Sequence, residues 1–372
     1  MKTVRVTVTE GGRSRVIEAA EGQRLYDVLR AHDVYLTAPC GGRGTCGKCA
    51  VLVNGRPEQS CRYLVHSDIA VTMPERRRAE ILHQAGELRR VANDCGLAPD
   101  RSGKGLVSTI EGAQRAIPAD PSRMYGIAVD IGTTTVVVYL EDLRTHATRD
   151  VESFLNPQAR HGHDVISRIH FAMEQADGLG RLRDEIRFGI SAASRALCER
   201  NGLDPSCICK AVIAGNNTML HLFAGVDPSP IAAAPYTPRF TARQVLRGDE
   251  AGLAMNPAGV VVLLPSVSAY VGADITAGIA STDLRERDDH SLFVDIGTNG
   301  EMALGNRTQL CCCSTAAGPA FEGATIRCGT GGVAGAIAHY AEGALETIDD
   351  LPPIGICGSG VLDIAAELRR AG

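Results

Sequence analysis

The chain has 372 residues, 44% of them hydrophobic, which is enough for two or three domains with cores of their own. Its 38 Lys and Arg stand against 43 Asp and Glu for a formal net charge of −5, and it has no Trp and only 4% aromatic residues. That balance leaves neither a basic surplus to neutralise phosphates nor rings on which bases could stack, and so excludes nucleic acid as a partner.

Residues 1–75 read as a small β-grasp sheet. A strand at Val4–Val8, a Gly11-Gly12 turn and a strand at Val16–Ala19 lead into an amphipathic helix from about Leu25 to His32. A cysteine-rich loop comes next, then a strand at Ala50–Val53, an Asn54-Gly55 turn and a closing strand near Ile69–Met73, before Pro74. In the loop, Cys40, Cys46 and Cys49 follow the spacing Cys-x5-Cys-x2-Cys, and Cys61 comes after eleven intervening residues. Four thiolates, three on one loop and one farther along, are the ligand set of a [2Fe-2S] centre. Gly41, Gly42, Gly44 and Gly47 suit a loop that must take positive φ and bring N–H groups close to sulfides. A zinc ribbon would pair two Cys-x2-Cys hooks, and here there is one; buried core thiols are the other alternative. Gly42 to Lys48 also fits part of a P-loop, but Cys49 replaces the Ser or Thr that would hold Mg2+, and a strand follows where a helix must start.

No leader and no membrane-length apolar run occurs, so a cytoplasmic protein without membrane contact is expected. In that reducing setting thirteen cysteines argue for metal or redox work rather than a disulfide framework. Residues 76–124, with the basic run Arg76–Arg78, a helical stretch through Arg90 and then Gly, Pro, Ser and Asp in quantity, read as a linker.

From Tyr125 to the end, 125–372, strands alternate with helices as in α/β domains. The segment YGIAVDIGTTTVVVYL at 125–140 is echoed by SLFVDIGTNGEMALG at 291–305, which suggests two similar subdomains facing each other. Each copy runs an apolar strand into an Asp-Ile-Gly-Thr turn and out into another strand. Such a turn presents N–H groups and a hydroxyl to an anion, while its Asp can hold hydrated Mg2+. One copy alone is equally a hairpin with a polar turn. Two copies, together with Gly358-Ser359-Gly360 entering a helix, favour a polyphosphate site.

Other candidates read as structural. Neighbours on a strand point to opposite faces, so Cys311, Cys312 and Cys313 cannot share a metal and are expected to pack in a core. Cys207 and Cys209 lack a second pair, and His161 and His163 are expected in a polar loop. Asp274 is either a ligand contact or a cap for a helix from Ile275. The Gly329–Gly335 run is either a backbone approach to a ligand or a plain turn.

The paired Asp-Gly-Thr turns resemble the phosphate motifs of the actin, sugar kinase and Hsp70 (ASKHA) superfamily, and ICGSGVLDIAAEL at 356–368 resembles its adenosine motif. Joined to a [2Fe-2S] domain, they resemble the reductive activators of corrinoid proteins. NPQARHGHDVISRI at 156–169, GNNTMLHLFAG at 215–225, VGADITAGI at 271–279 and GPAFEGATI at 318–326 are similar to that family as well. The resemblance implies a β-grasp ferredoxin domain followed by an α/β ASKHA domain, ATP with Mg2+, and one-electron reduction of Co(II) to Co(I) on a partner corrinoid protein. It further implies that Asp130 and Asp295 position Mg2+ and water, and that Thr133, Thr134, Thr298 and Asn299 hold phosphate within turns completed by Gly132, Thr135, Gly297 and Gly300. Gly358, Ser359 and Gly360 would face adenosine. An electron-donor protein or flavin reductase is implied as a second partner, and the oligomeric state is open, a homodimer included.

The chain departs from the family in two ways. The segment 76–124 leaves little room for a separate middle domain, and the superfamily fold normally runs on past Gly372, so either a fragment or an incomplete ATP site is expected. Two rival functions remain at this point. One is a redox module whose nucleotide domain is a degenerate scaffold, and the other a small-molecule kinase with the cluster as redox sensor.

Overall fold

The computed structural model describes residues 3–32, 34, 36, 38, 42, 44, 48–74, 96–103, 105–110, 113–162, 164–297, 299–316 and 326–371. The chain divides into two compact units, Met1–Glu80 with Ala317–Gly372, and Ile81–Ala316.

The N-terminal sheet comprises β1 (Thr3–Glu10), β2 (Arg13–Ala20), β3 (Ala50–Val53), β4 (Arg56–Gln59) and β5 (Ile69–Thr72), in the order β2-β1-β5-β3-β4. Helix α1 (Leu25–Ala31) buries Leu25, Val28 and Leu29 against Val4, Val6 and Val8, the inward residues of an alternating strand. Strand β1 runs parallel to β5, whereas β3 and β4 form a two-residue hairpin. Asn54 (φ 48) and Gly55 (φ 79) both take the left-handed conformation that such a turn demands. Strand β4 was not expected, because Arg-Pro-Glu-Gln carries no apolar alternation; the turn and the partner strand impose it.

The second unit opens with β6 (Leu97–Pro99), β7 (Leu106–Ile110) and β8 (Ala113–Ile117), an antiparallel sheet inside the stretch read as linker. Leu97, Leu106 and Ile117 are buried with Met124, Cys209, Val260 and Val262. The Ser, Gly and Asp residues that suggested a tether belong to tight turns: Asp100 Oδ1, for example, accepts from the Ser102 amide at 2.9 Å. The helix expected up to Arg90 lies outside the described residues.

Beyond Met124, β9 (Tyr125–Ile131), β10 (Thr135–Asp142) and β11 (Ala147–Leu155) form a meander. Then come α2 (Val165–Glu174), α3 (Gly178–Arg200), β12 (Ile208–Gly215), α4 (Asn217–Ala224), α5 (Ser229–Ala232), β13 (Gln244–Arg247), α6 (Gly248–Ala251), β14 (Val260–Leu263) and α7 (Ala273–Ala280). The sheet order is β11-β10-β9-β12-β14-β13, with β9, β12 and β14 parallel. Helix α3 lays Leu182, Ile186, Ile190 and Leu197 on this sheet; each such residue contributes about 1.5–3 kcal/mol when fully buried.

A second antiparallel sheet holds β15 (Ser291–Ile296), β16 (Gly300–Gly305) and β17 (Leu310–Thr315). Helix α7 stands between the two sheets. Ala273 joins the core of the first, while Ile275 and Ile279 pack with Phe293, Ala303 and Cys312 of the second. Cys312 thus packs as expected, but Cys311 and Cys313 face the other way and are exposed, which corrects the core reading for those two.

In the first unit, β18 (Ala336–Ala341), β19 (Ala344–Thr347) and β20 (Gly355–Ile356) form a sheet in the order β19-β18-β20, with α8 (Gly358–Ala371) against β18. Among the described residues, no helix is long and apolar enough to cross a membrane.

Candidate functional site

There are two candidate sites, one around the cysteines in the first unit and one around the Asp-Gly-Thr turns in the second. Cys49 leads directly into β3 and Cys61 follows β4, so the hairpin fixes both ends, and the Ser60 amide donates to the Cys49 carbonyl at 3.0 Å. Both thiols are buried, with their Sγ atoms 3.1 Å apart. That is too far for a disulfide, about 2.05 Å, and near enough for both thiolates to converge on one metal ion. The loop glycines carry the strain. Gly42 has φ 79, and a Cβ there would lie 2.7 Å from the Tyr26 ring; Gly44 has φ 78, and Arg62 Nη2 donates to its carbonyl at 2.8 Å. Cys40, Cys46, Gly41 and Gly47 lie outside the described residues. The described half of the donor set, two buried thiols held by a short hairpin beside left-handed glycines, fits an iron-sulfur group.

The first Asp-Gly-Thr turn joins β9 to β10. Asp130 is the last residue but one of β9 and pairs with Val137 across the hairpin and with Ala214 on β12. Gly132, Thr133 and Thr134 make the turn, and Thr135 opens β10. A Cβ on Gly132 would sit 2.5 Å from the Thr135 carbonyl oxygen, which leaves room only for glycine. Thr133 is buried, and its Oγ1 meets Asn216 Nδ2 at 3.1 Å. Asn216 caps α4 by accepting from the Met219 amide at 3.0 Å.

The second turn joins β15 to β16 with the same count of intervening residues. Gly297 and Asn299 flank Thr298, which is outside the described residues, and Gly300 opens β16. Asp295 pairs across the hairpin with Glu301. Gly272 brings α7 against the end of β12: a Cβ on it would lie 2.5 Å from Asn216 Cα and 2.8 Å from the Gly215 oxygen. Asp274, two residues on, accepts from the Ile275 amide at 2.9 Å rather than acting as the cap residue, which is Gly272.

The electrostatics couple the carboxylates of these elements. Burial raises the pKa of Asp130 above the usual carboxylate range although part of its side chain is solvent-accessible, and the charge of Asp295 adds to the shift. Burial raises Asp295 too, and Glu301 is raised by burial with Asp295 adding to it, while a hydrogen bond from Ser314 Oγ at 3.0 Å opposes the rise. Asp274 is pushed up to about 7, chiefly by burial, with Asp130, Glu301 and Asp295 contributing. Among the described residues, no three His, Cys, Asp or Glu side chains close on a metal ion by themselves. An ion that keeps several waters and is held by one or two carboxylates plus ligand phosphates suits this arrangement; Mg2+ is such an ion.

Gly358, Ser359 and Gly360 open α8 in the other unit. Gly360 serves packing there, since a Cβ would lie 2.3 Å from the Ile337 oxygen of β18. His161 is no polar-loop residue: it is buried, with Nε2 2.8 Å from Glu185 Oε1 and its ring 4.1 Å from that of Phe171. His163 lies outside the described residues. Asn156, Arg168, Asn216, Gly272 and Glu301 support or stand beside these turns without having been singled out. Four of them stand in the stretches 156–169, 215–225 and 271–279 that carry the family resemblance.

Comparison with known proteins covers most of the chain, and it finds a middle region although little room for one was expected. Residues 8–76 match the model of a 2Fe-2S iron-sulfur cluster binding domain, 125–287 the RACo middle region, and 289–372 the C-terminal domain of RACo, the ASKHA domain. The first Asp-Gly-Thr turn therefore falls within the middle region. The corrinoid activation enzyme RamQ of Eubacterium limosum is 31% identical over 96% of this chain and 69% of its own. A Methanosarcina barkeri reductase of the Co(II) methylated amine-specific corrinoid protein is 30% identical over 58% of this chain and 40% of its own. The solved structure of a reductive activator for a corrinoid, iron-sulfur protein has a TM-score of 0.67 at 31% identity, covering 99% of this chain and 73% of that one. With its cluster-binding domain, its ASKHA domain and this likeness over nearly its full length, the chain belongs to the family of reductive activators of corrinoid proteins.

Proposed function

We propose that the chain reduces the cobalt of a partner corrinoid protein from Co(II) to Co(I) at the expense of ATP. The net reaction takes one electron from a low-potential donor, a donor protein or flavin reductase, and adds it to Co(II), while water splits ATP into ADP and phosphate. When bound at Cys40, Cys46, Cys49 and Cys61, a [2Fe-2S] cluster supplies a one-electron carrier. The backbone of 132–135 and 297–300 receives the phosphates, Asp130 and Asp295 hold Mg2+ and orient water, and Gly358, Ser359 and Gly360 face adenosine at a helix N-terminus. The nucleotide biases the complex toward a state in which cobalt accepts an electron, by binding that state more tightly.

The observation that carries this reading is the coupling of Asp130 to Asp295. Each aspartate stands two residues before the glycine of its hairpin turn, burial raises the pKa of both, and the charge of Asp295 adds to the rise at Asp130. Carboxylates gathered at that cost suit a cation arriving with its ligand. The test is anaerobic reduction of a corrinoid protein followed by its visible spectrum. Reduced wild-type protein with Mg-ATP is expected to yield Co(I), and Asp130→Asn and Asp295→Asn to lose at least about tenfold in rate, the worth of one charge-assisted contact. Co(I) formed equally without ATP would favour a plain redox module, and a phosphorylated small molecule formed without cobalt would favour a kinase.

A further inference from the structure

We propose that Arg168, together with Asn156, is a positioning residue that holds the 132–134 turn in its phosphate-receiving conformation from behind. This deepens, and rests on, the nucleotide reading above. Arg168 on α2 is fully buried, an expensive place for a guanidinium when Leu or Met would fill the space. Two of its nitrogens donate to backbone carbonyls and the third to side chains. Nη2 donates to the Thr133 carbonyl, Nε to the Gly162 carbonyl at 2.9 Å, and Nη1 reaches Gln158 Oε1 at 3.3 Å. Asn156 is also buried; its Nδ2 donates to the Gly132 carbonyl at 2.8 Å, and its amide to the Thr134 carbonyl at 2.8 Å. Arg168 Nη1 and Asn156 Nδ2 both lie against Met219 Sδ, at 3.2 and 3.7 Å, which places the two donors on one side of the turn.

Three successive carbonyls of the turn are thus gripped from that side. In a trans peptide the N–H points opposite to the C=O, so the N–H groups of Thr133 and Thr134 are turned away from Arg168 and Asn156, toward the opposite side of the turn. Asn216 holds the Thr133 hydroxyl at 3.1 Å and adds a further anchor. Preorganised N–H groups bind an anion without first reorganising, and the buried guanidinium adds positive potential behind them.

The experiment uses the full chain with its cluster in place and a fluorescent ATP analogue with Mg2+ as probe. Arg168→Met and Asn156→Ala are each expected to raise the analogue's Kd about tenfold or more, as the loss of a buried or charge-assisted hydrogen bond implies. Arg168→Lys should fall in between, because it keeps the charge but not the fork. In the corrinoid assay KM for ATP should rise more than kcat falls, with the visible spectrum of the cluster unchanged. Should Arg168→Met fail to melt cooperatively, Arg168→Lys and Asn156→Ala decide. Variants that melt cooperatively and bind with the wild-type Kd overturn the positioning role. A wild-type protein that binds no Mg-nucleotide overturns the functional reading instead.

Discussion

Asp295 on β15 lies directly opposite Glu301 on β16, a pair of like charges facing each other across one hairpin. Like charges in that relation destabilise a sheet by about 0.2–1 kcal/mol. Glu301→Gln keeps the acceptor for Ser314 Oγ and removes one charge. We expect it to raise the melting temperature of the nucleotide-free protein at pH 8, and added Mg2+ to narrow the difference from wild type. An unchanged or lower melting temperature would show that the pair does not repel.

Asp274 gives the stability a pH dependence of defined sign. Its folded pKa of about 7 lies above the ordinary value of 3.8, so the folded state holds a proton that the unfolded chain releases. The associated stability is fully present below pH ~3.8 and is lost as pH rises toward and through about 7. Melting curves across that window should show wild type losing stability relative to Asp274→Asn, with the two closest at the acid end. Mg2+ should flatten the wild-type slope by favouring the carboxylate.

Gly272 tests the contact between α7 and β12. A Cβ there meets only backbone and a short carboxylate, at 2.5–2.8 Å, with no flexible end to swing aside. Gly272→Ala should cost about 1–3 kcal/mol in urea unfolding and weaken Mg-nucleotide binding, because Asn216 and Asp274 move with it. A variant of wild-type stability would mean that the two elements part easily.

Cys61 tests the cluster. Since it shares a buried position with Cys49, Cys61→Ser should lose most of its bound iron, labile sulfide and visible absorption, while the far-ultraviolet signal of the second unit persists. Retention of full iron content would exclude Cys61 as a ligand.

What could be read from sequence is local. The spacing of four cysteines, each Asp-Gly-Thr turn and the strand into which each turn runs are all visible in short stretches of chain. Strand β4 was hidden because its polar segment acquires strand character from its partner, and β6–β8 because strands of three to five residues are masked by the Gly, Ser and Asp turns around them. The residues behind the first turn were hidden for a related reason. Asn156, Arg168 and Asn216 reach Gly132 and Thr133 across 24, 35 and 83 positions of chain, and a side chain that grips a distant carbonyl leaves no periodicity. Glu301 looked like an ordinary strand glutamate until β15 paired with β16.

The central claim is that an electron carried by the cysteine-bound centre passes to cobalt only when nucleotide is bound. Electron paramagnetic resonance of the reduced protein, mixed anaerobically with a Co(II) corrinoid protein, observes both ends of that transfer at once. The account predicts that the reduced-cluster and Co(II) signals disappear together, one for one, with Mg-ATP present, and that both persist in its absence. Loss of the Co(II) signal while the cluster signal stays whole, or equal loss with and without ATP, would contradict it.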